Sequence, residues 1–152
     1  MAYRFDSFYI GGAWVKPSTT DVLTLENPAT RDPFATVPDA TPADAVAAIE
    51  AAASALPAWS ATPLAKRVEL MQKAMEIFKT YRDEIIRLEA LELGAPVSYS
   101  ANAHCDYQFT RIESYIRESQ KVVLEEQLEL STVVREPVGV IACITPWNYP
   151  LG

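Results

Sequence analysis

The sequence contains no run of lysine or arginine, and its charge balance is acidic, with a net charge of −7 and a pI near 4.7. An acidic surface repels phosphate backbones and anionic headgroups, so neither nucleic acid nor a membrane surface is an expected partner. No apolar run approaches the ~20 residues that a membrane-spanning helix needs. Cysteine is scarce: Cys105 and Cys143 are the two present, and His104 is the one histidine. None of these residues has metal-ligand spacing, which argues against a zinc centre. Two distant cysteines fit a reduced, cytoplasmic protein. Both fall on faces expected to be buried, and Cys143 lies inside an apolar run. It is expected to be an inert core thiol and not a nucleophile. His104 reads as a structural or surface residue. The segment from Met1 to Asp6 carries an acidic residue early and no long apolar core, so no secretory signal is expected. Gly-x-Gly-x-x-Gly, Cys-x-x-Cys, the phosphate loop and a serine–histidine pair are all missing. So are internal repeats, low-complexity tracts and an obvious linker.

What remains is an ordinary globular composition, 152 residues with 49% hydrophobic and 22% charged. That length can bury a real core. Phe8-Tyr9-Ile10-Gly11-Gly12-Ala13-Trp14-Val15 predicts a hairpin, because the glycines permit the positive φ of a primed turn. Val22–Glu26 and Phe34–Val37 predict further short strands, with a turn started by Asn27-Pro28. Together with the hairpin they are expected to form one small antiparallel sheet. Thr41-Pro42-Ala43-Asp44 is a helix start, with Thr41 capping and Asp44 at the positive end. Val46, Ile49, Ala53 and Leu56 form its apolar face, and Pro57 is expected to end it.

A second helix follows Thr62-Pro63, with Leu64, Val68, Met71, Met75 and Phe78 in its stripe. A third begins near Arg82 and stops at Gly94, a good left-handed terminator with Pro96 just beyond. A fourth runs roughly from Val97 to Gln120 along Ala101, Cys105, Phe109, Ile112 and Ile116. Tyr99, Tyr107 and Tyr115 widen its surface, which suits a subunit contact or burial on two sides. The period then changes to two. Leu128, Leu130, Thr132 and Val134 alternate with Glu129, Ser131, Val133 and Arg135, a partly exposed strand.

From Val138 to Ile144 the chain is apolar without alternation, broken only by Gly139. This predicts a strand covered on both faces, as in a parallel sheet. It should stop near Thr145, since Pro146 and Pro150 each lack a backbone donor. In open α/β sheets, chemistry gathers at the carboxyl ends of strands, and Asn148 would lie there. Its amide offers two neutral N–H donors, suited to an oxygen that gains negative charge. Asparagine is also a common turn residue, and spacing alone favours that plainer role.

The run Glu136-Pro137-Val138-Gly139-Val140, followed by Ile144-Thr145-Pro146-Trp147-Asn148-Tyr149-Pro150-Leu151, resembles the signature of NAD(P)-dependent aldehyde dehydrogenases. Ile10-Gly11-Gly12-Ala13-Trp14, Asn27-Pro28-Ala29-Thr30 and Leu93-Gly94-Ala95-Pro96 resemble other family segments in the same order. Arg31 stands where glycine is usual, Ala95 where lysine is, and Tyr149 where many members carry phenylalanine. The resemblance implies an α/β fold and the N-terminal part of a longer enzyme. Residues 1–123 would begin the NAD-binding domain, 124–137 would be an oligomerisation arm, and 138–152 would hold the first nucleotide-binding strand and its Pro-Trp-Asn turn. It further implies that Asn148 is the oxyanion donor and that Thr145, Pro146, Trp147 and Asn148 line the cleft for NAD or NADP. Leu25, Glu26 and Glu92 are weak candidates for a monovalent cation, although a solvated helix position explains Glu92 better.

The implied reaction oxidises an aldehyde through a cysteine thiohemiacetal in a homo-oligomer, dimer or tetramer. The nucleophile and general base are expected beyond residue 152, so the chain alone is expected to be inactive. Two alternatives stand beside this reading. One is a freestanding protein-interaction module whose exposed strand adds to a partner sheet. The other is an acylating relative that passes its thioester to coenzyme A.

Overall fold

The computed structural model describes residues 3–152, and Met1 and Ala2, part of the segment read for a secretory signal, lie outside the described residues. The chain is mixed α/β, as expected, but its strands make two separate N-terminal sheets instead of one. β2 (Phe8–Ile10) and β3 (Ala13–Val15) pair as the predicted hairpin, with Gly11 and Gly12 at φ of 62° and 84°. That double positive φ is what the two-residue primed turn requires. β4 (Val22–Glu26) pairs antiparallel with β5 (Pro33–Pro38), and β1 (Tyr3–Arg4) adds to β5 in parallel. The hairpin cannot join them, because its edges are not hydrogen-bonded to either strand. Between β4 and β5, the Asn27 side chain accepts from the Ala29 N–H at 2.8 Å. Arg31, where the resemblance places glycine, takes a φ of 66°.

Helix α1 (Pro42–Ala61) opens with a capping box. The Thr41 hydroxyl accepts from the Asp44 N–H at 3.3 Å, and Asp44 accepts in return from the Thr41 N–H at 2.9 Å. Pro57 does not end this helix, contrary to the sequence reading; it lies inside, four residues before Ala61. The proline deprives only the Ala53 carbonyl of a donor, and Ala53 is exposed, where water can replace it. The apolar stripe of α1 is largely uncovered, with Val46 and Ile49 both exposed.

The core lies elsewhere. α2 (Leu64–Thr80), α3 (Arg82–Glu92) and the long helix that follows bury Val68, Met75, Ile86, Cys105, Phe109 and Ile116 together. Phe78 meets Phe109 edge-on, with ring centroids 5.4 Å apart. Arg82 holds Asp106 with two hydrogen bonds of 2.6 and 2.7 Å. Those bonds keep the Asp106 carboxyl below its ordinary value. Gly94 ends the third helix in a left-handed conformation, φ 72°, and a Cβ there would lie 2.8 Å from Pro28 Cγ.

The fourth helix spans the expected residues but is not regular. It consists of α4 (Val97–Tyr99), a π-helical segment (Ser100–Asp106) and α5 (Tyr107–Ser119). The Tyr107 N–H reaches the Asn102 carbonyl, the five-residue step of a π-turn.

Two C-terminal expectations are corrected. The single alternating strand is a hairpin, with β6 (Glu125–Gln127) paired to β7 (Thr132–Val134). The Leu128 N–H closes the intervening turn onto Ser131 at 2.7 Å, because the chain satisfies its own edge there. The second correction is that residues 138–144 form no ladder and are not buried: Val138 is 90% exposed and Ile144 95%. A strand covered on both faces needs parallel neighbours, and none of the described residues pairs with it. Cys143 is accordingly exposed and not a core thiol, whereas Cys105 is buried as expected. Among the described residues no helix is long and apolar enough to cross a membrane.

Candidate functional site

The two prolines shape the last segment. Pro146 and Pro150 bracket a turn over residues 147–150, and the Gly152 N–H closes onto the Tyr149 carbonyl at 3.0 Å. The segment folds back across the body of the chain. Thr145, Pro146, Trp147 and Pro150 form one wall of a cavity of about 510 Å³. Leu25 and Glu26 of β4, together with Glu89, Glu92 and Leu93, form another. Thr145, Pro146 and Trp147, predicted as cofactor-lining, are therefore brought together with all three cation candidates, Leu25, Glu26 and Glu92.

Asn148 is exposed and does not line this cavity. Among the described residues its amide takes no hydrogen-bond partner, so both N–H donors remain available. The backbone groups of Thr145, Trp147 and Asn148 are likewise in no ladder. Trp147 is 82% exposed, a flat apolar surface beside free amide groups. Such a wall fits a ring that carries a carboxamide, since the ring can pack and the amide can bond.

The Glu92 carboxyl is raised by partial desolvation, although the residue as a whole is exposed. The Glu89 carboxyl is raised too, first by burial, while His104 pulls it back down. Among the described residues no set of three His, Cys, Asp or Glu side chains is arranged to hold a metal.

His104 is placed more deeply than its sequence context suggested. It is 2% exposed, and its Nδ1 lies 3.3 Å from the Glu89 carboxylate. Neither nitrogen makes a well-aligned hydrogen bond. Tyr99 and Tyr149 pack on its ring, with centroids 5.1 and 4.3 Å away, and their hydroxyls meet at 2.5 Å. That bond, then burial, raises the Tyr149 phenol. Sequence reasoning missed this cluster. No α-helical spacing marks it, because Tyr99 meets His104 across a five-residue step where the helix widens into a π-turn.

A second cavity, about 670 Å³, opens on the other side of the turn, between Pro146 and Tyr149 and the helix residues Tyr99, Tyr107 and Arg111. The turn with Asn148 thus divides two cavities.

Comparison with known proteins adds to this geometry. The model of the aldehyde dehydrogenase family matches residues 14–152. A glutarate-semialdehyde dehydrogenase of Pseudomonas putida is 32% identical over 93% of this chain and 30% of its own length. The NADP(+) succinate-semialdehyde dehydrogenase GabD of Escherichia coli is 30% identical, again over 93% and 30%. Among solved structures, an aldehyde dehydrogenase of Mycobacterium tuberculosis complexed with NAD+ superposes with a TM-score of 0.92 at 34% identity, over 99% of this chain and 32% of that one. A Pseudomonas syringae AldC mutant complexed with NAD+ and octanal gives 0.93 at 29% identity, over 96% and 30%. The chain spans about 30% of the length of the curated relatives it matches.

Proposed function

From the premise that this chain belongs to the aldehyde dehydrogenase family, as its match over residues 14–152 shows, we propose that the whole protein oxidises an aldehyde to a carboxylic acid with NAD or NADP. In this reading the chain supplies the entry strands, the helical layer and one wall of the cofactor cleft. Thr145, Pro146 and Trp147 pack against the cofactor's nicotinamide end. The bound cofactor accepts the hydride that leaves the substrate carbon. Asn148 donates an amide N–H to the substrate oxygen as a cysteine thiolate from the remainder of the enzyme attacks the carbonyl carbon. The neutral carboxamide needs no proton transfer of its own, so it stabilises the oxyanion without changing ionisation. A carboxylate-activated water, also from the remainder, then releases the acid. Residues 124–137 serve as an arm for a second subunit in a homo-oligomer.

The observation that carries this reading is the exposed, unpartnered amide of Asn148 on a proline-bracketed turn whose residues Pro146, Trp147 and Pro150 line a cavity. It is supported by NAD+ in the Mycobacterium and Pseudomonas syringae structures. Asn148→Ala in the whole enzyme is expected to cut turnover ~100-fold or more, the scale of a lost oxyanion donor. Steady-state kinetics check this, and turnover within a few fold of the native enzyme would remove the assigned role. The 152-residue chain alone is expected to show no dehydrogenase activity, because it spans about 30% of the length of the relatives it matches and so supplies only one wall of the proposed cleft.

A further inference from the structure

We infer that Tyr99, His104 and Tyr149 form a positioning cluster that sets the direction of the Asn148 amide, an inference that rests on the oxyanion role proposed above. Tyr149 is covalently next to Asn148, so whatever holds the Tyr149 ring restricts where the carboxamide can point. Two contacts hold that ring, and a third joins its two partners to each other. Its hydroxyl meets the Tyr99 hydroxyl at 2.5 Å. Its face packs on the His104 imidazole at 4.3 Å, and Tyr99 meets the same imidazole edge-on at 5.1 Å.

The platform beneath is rigid. His104 is 2% exposed and Glu89, whose carboxylate lies 3.3 Å from Nδ1, is 5% exposed. A buried ring in a packed interior cannot swing without opening a void. Tyr99 and His104 belong to the fourth helix and Glu89 to α3, so the turn is tied to two helices at once. This tie runs through side chains, since no backbone ladder reaches residues 145–150. The family resemblance expects phenylalanine at position 149. A phenylalanine would keep the packing on His104 and lose the hydroxyl bond. Tyr99 and Tyr149 therefore add a hydroxyl latch to the stacking contact with His104.

The test is steady-state kinetics of the whole enzyme carrying Tyr149→Phe, Tyr99→Phe or both, in the native and the Asn148→Ala backgrounds. Each single change is expected to lower kcat about three- to tenfold, the scale of one lost hydrogen bond. KM for the aldehyde stays unchanged, and the unfolding midpoint falls by no more than the loss of one hydrogen bond allows. The double variant is no worse than either single one, because both hydroxyls belong to one bond. In the Asn148→Ala background the same changes leave kcat where that substitution put it. A general loosening of the fold would instead lower kcat in both backgrounds. An equal fall in both backgrounds, or no fall in either, overturns the positioning cluster while a large effect of Asn148→Ala keeps the oxyanion reading. An Asn148→Ala enzyme with intact turnover overturns both.

Discussion

Two sets of apolar side chains in this chain meet opposite ends. In the helical body, Phe109 and Ile116 are 5% and 8% exposed; in the last segment, Val138 and Ile144 are 90% and 95% exposed. The difference lies in where each finds its cover. A helix stripe needs only another helix, and α2 and α3 supply one within a few tens of residues. A strand covered on both faces needs parallel neighbours, each reached by a crossover of a dozen residues or more. Apolar pattern thus reports what kind of cover a segment requires, and the three-dimensional neighbours decide whether it is met.

The comparison can be broken most directly at Phe109. Phe109→Ala removes the contact with Phe78 and leaves a void between α2 and α5. Urea unfolding of the chain is expected to show a loss of about 3–5 kcal/mol. A loss under about 1 kcal/mol would mean that these helices are not the stabilising core.

A smaller effect is expected at the Arg82–Asp106 pair that clasps α3 to the π-segment. The Asp106 carboxyl is depressed in the folded chain, chiefly by its hydrogen bonds to Arg82. The folded state therefore binds its proton less readily than the unfolded one. The resulting stability is fully present above the ordinary aspartate range and is lost as pH falls through the depressed value. Asp106→Asn should lower the unfolding midpoint at neutral pH, with the gap to the native chain closing as the pH drops below about 4. A gap that stays constant into acid would assign the loss to packing and not to charge.

The smallest effect sharpens the other side. Ile144→Ala in this chain should change stability by no more than about 0.5 kcal/mol, because an exposed side chain loses little by truncation. In the whole enzyme, where the proposed sheet covers it, the same change should cost about 2–5 kcal/mol. Equal values in the two proteins would remove the argument that the run awaits a parallel neighbour.

Much of the fold was legible because its signals are local. The glycine pair dictated the first hairpin, Thr41 and Asp44 the start of α1, and Gly94 the end of α3. The helical stripe of α2 was readable as far as Val68, Met75 and Phe78. What escaped reading depends on relations between distant residues. Pro57 reads as a stop because proline removes one helix hydrogen bond and crowds the carbonyl four residues back, and the sequence alone does not show that this carbonyl faces water. The reversal at Leu128–Ser131 escaped because its residues also satisfy strand alternation. At the site, the Pro-Trp-Asn motif stood out as a compact string, whereas the Glu89, His104 and Tyr149 cluster joins three separate elements and carries no motif.

The π-helical turn at Ser100–Asp106 has a consequence for what this region can tolerate. In a uniform α-helix, side chains repeat along one stripe, so a single helix addresses a single neighbour. The wide turn resets the phase. Tyr99 and His104 look toward the Asn148 turn, while Phe109 and Ile116 look toward α2. Inserting or removing one residue there would keep the helix continuous yet rotate one set of contacts out of alignment with the other. The count of residues between Tyr99 and Phe109 is thus constrained more tightly than their chemistry, and length variation should be purged from this stretch even where substitutions survive.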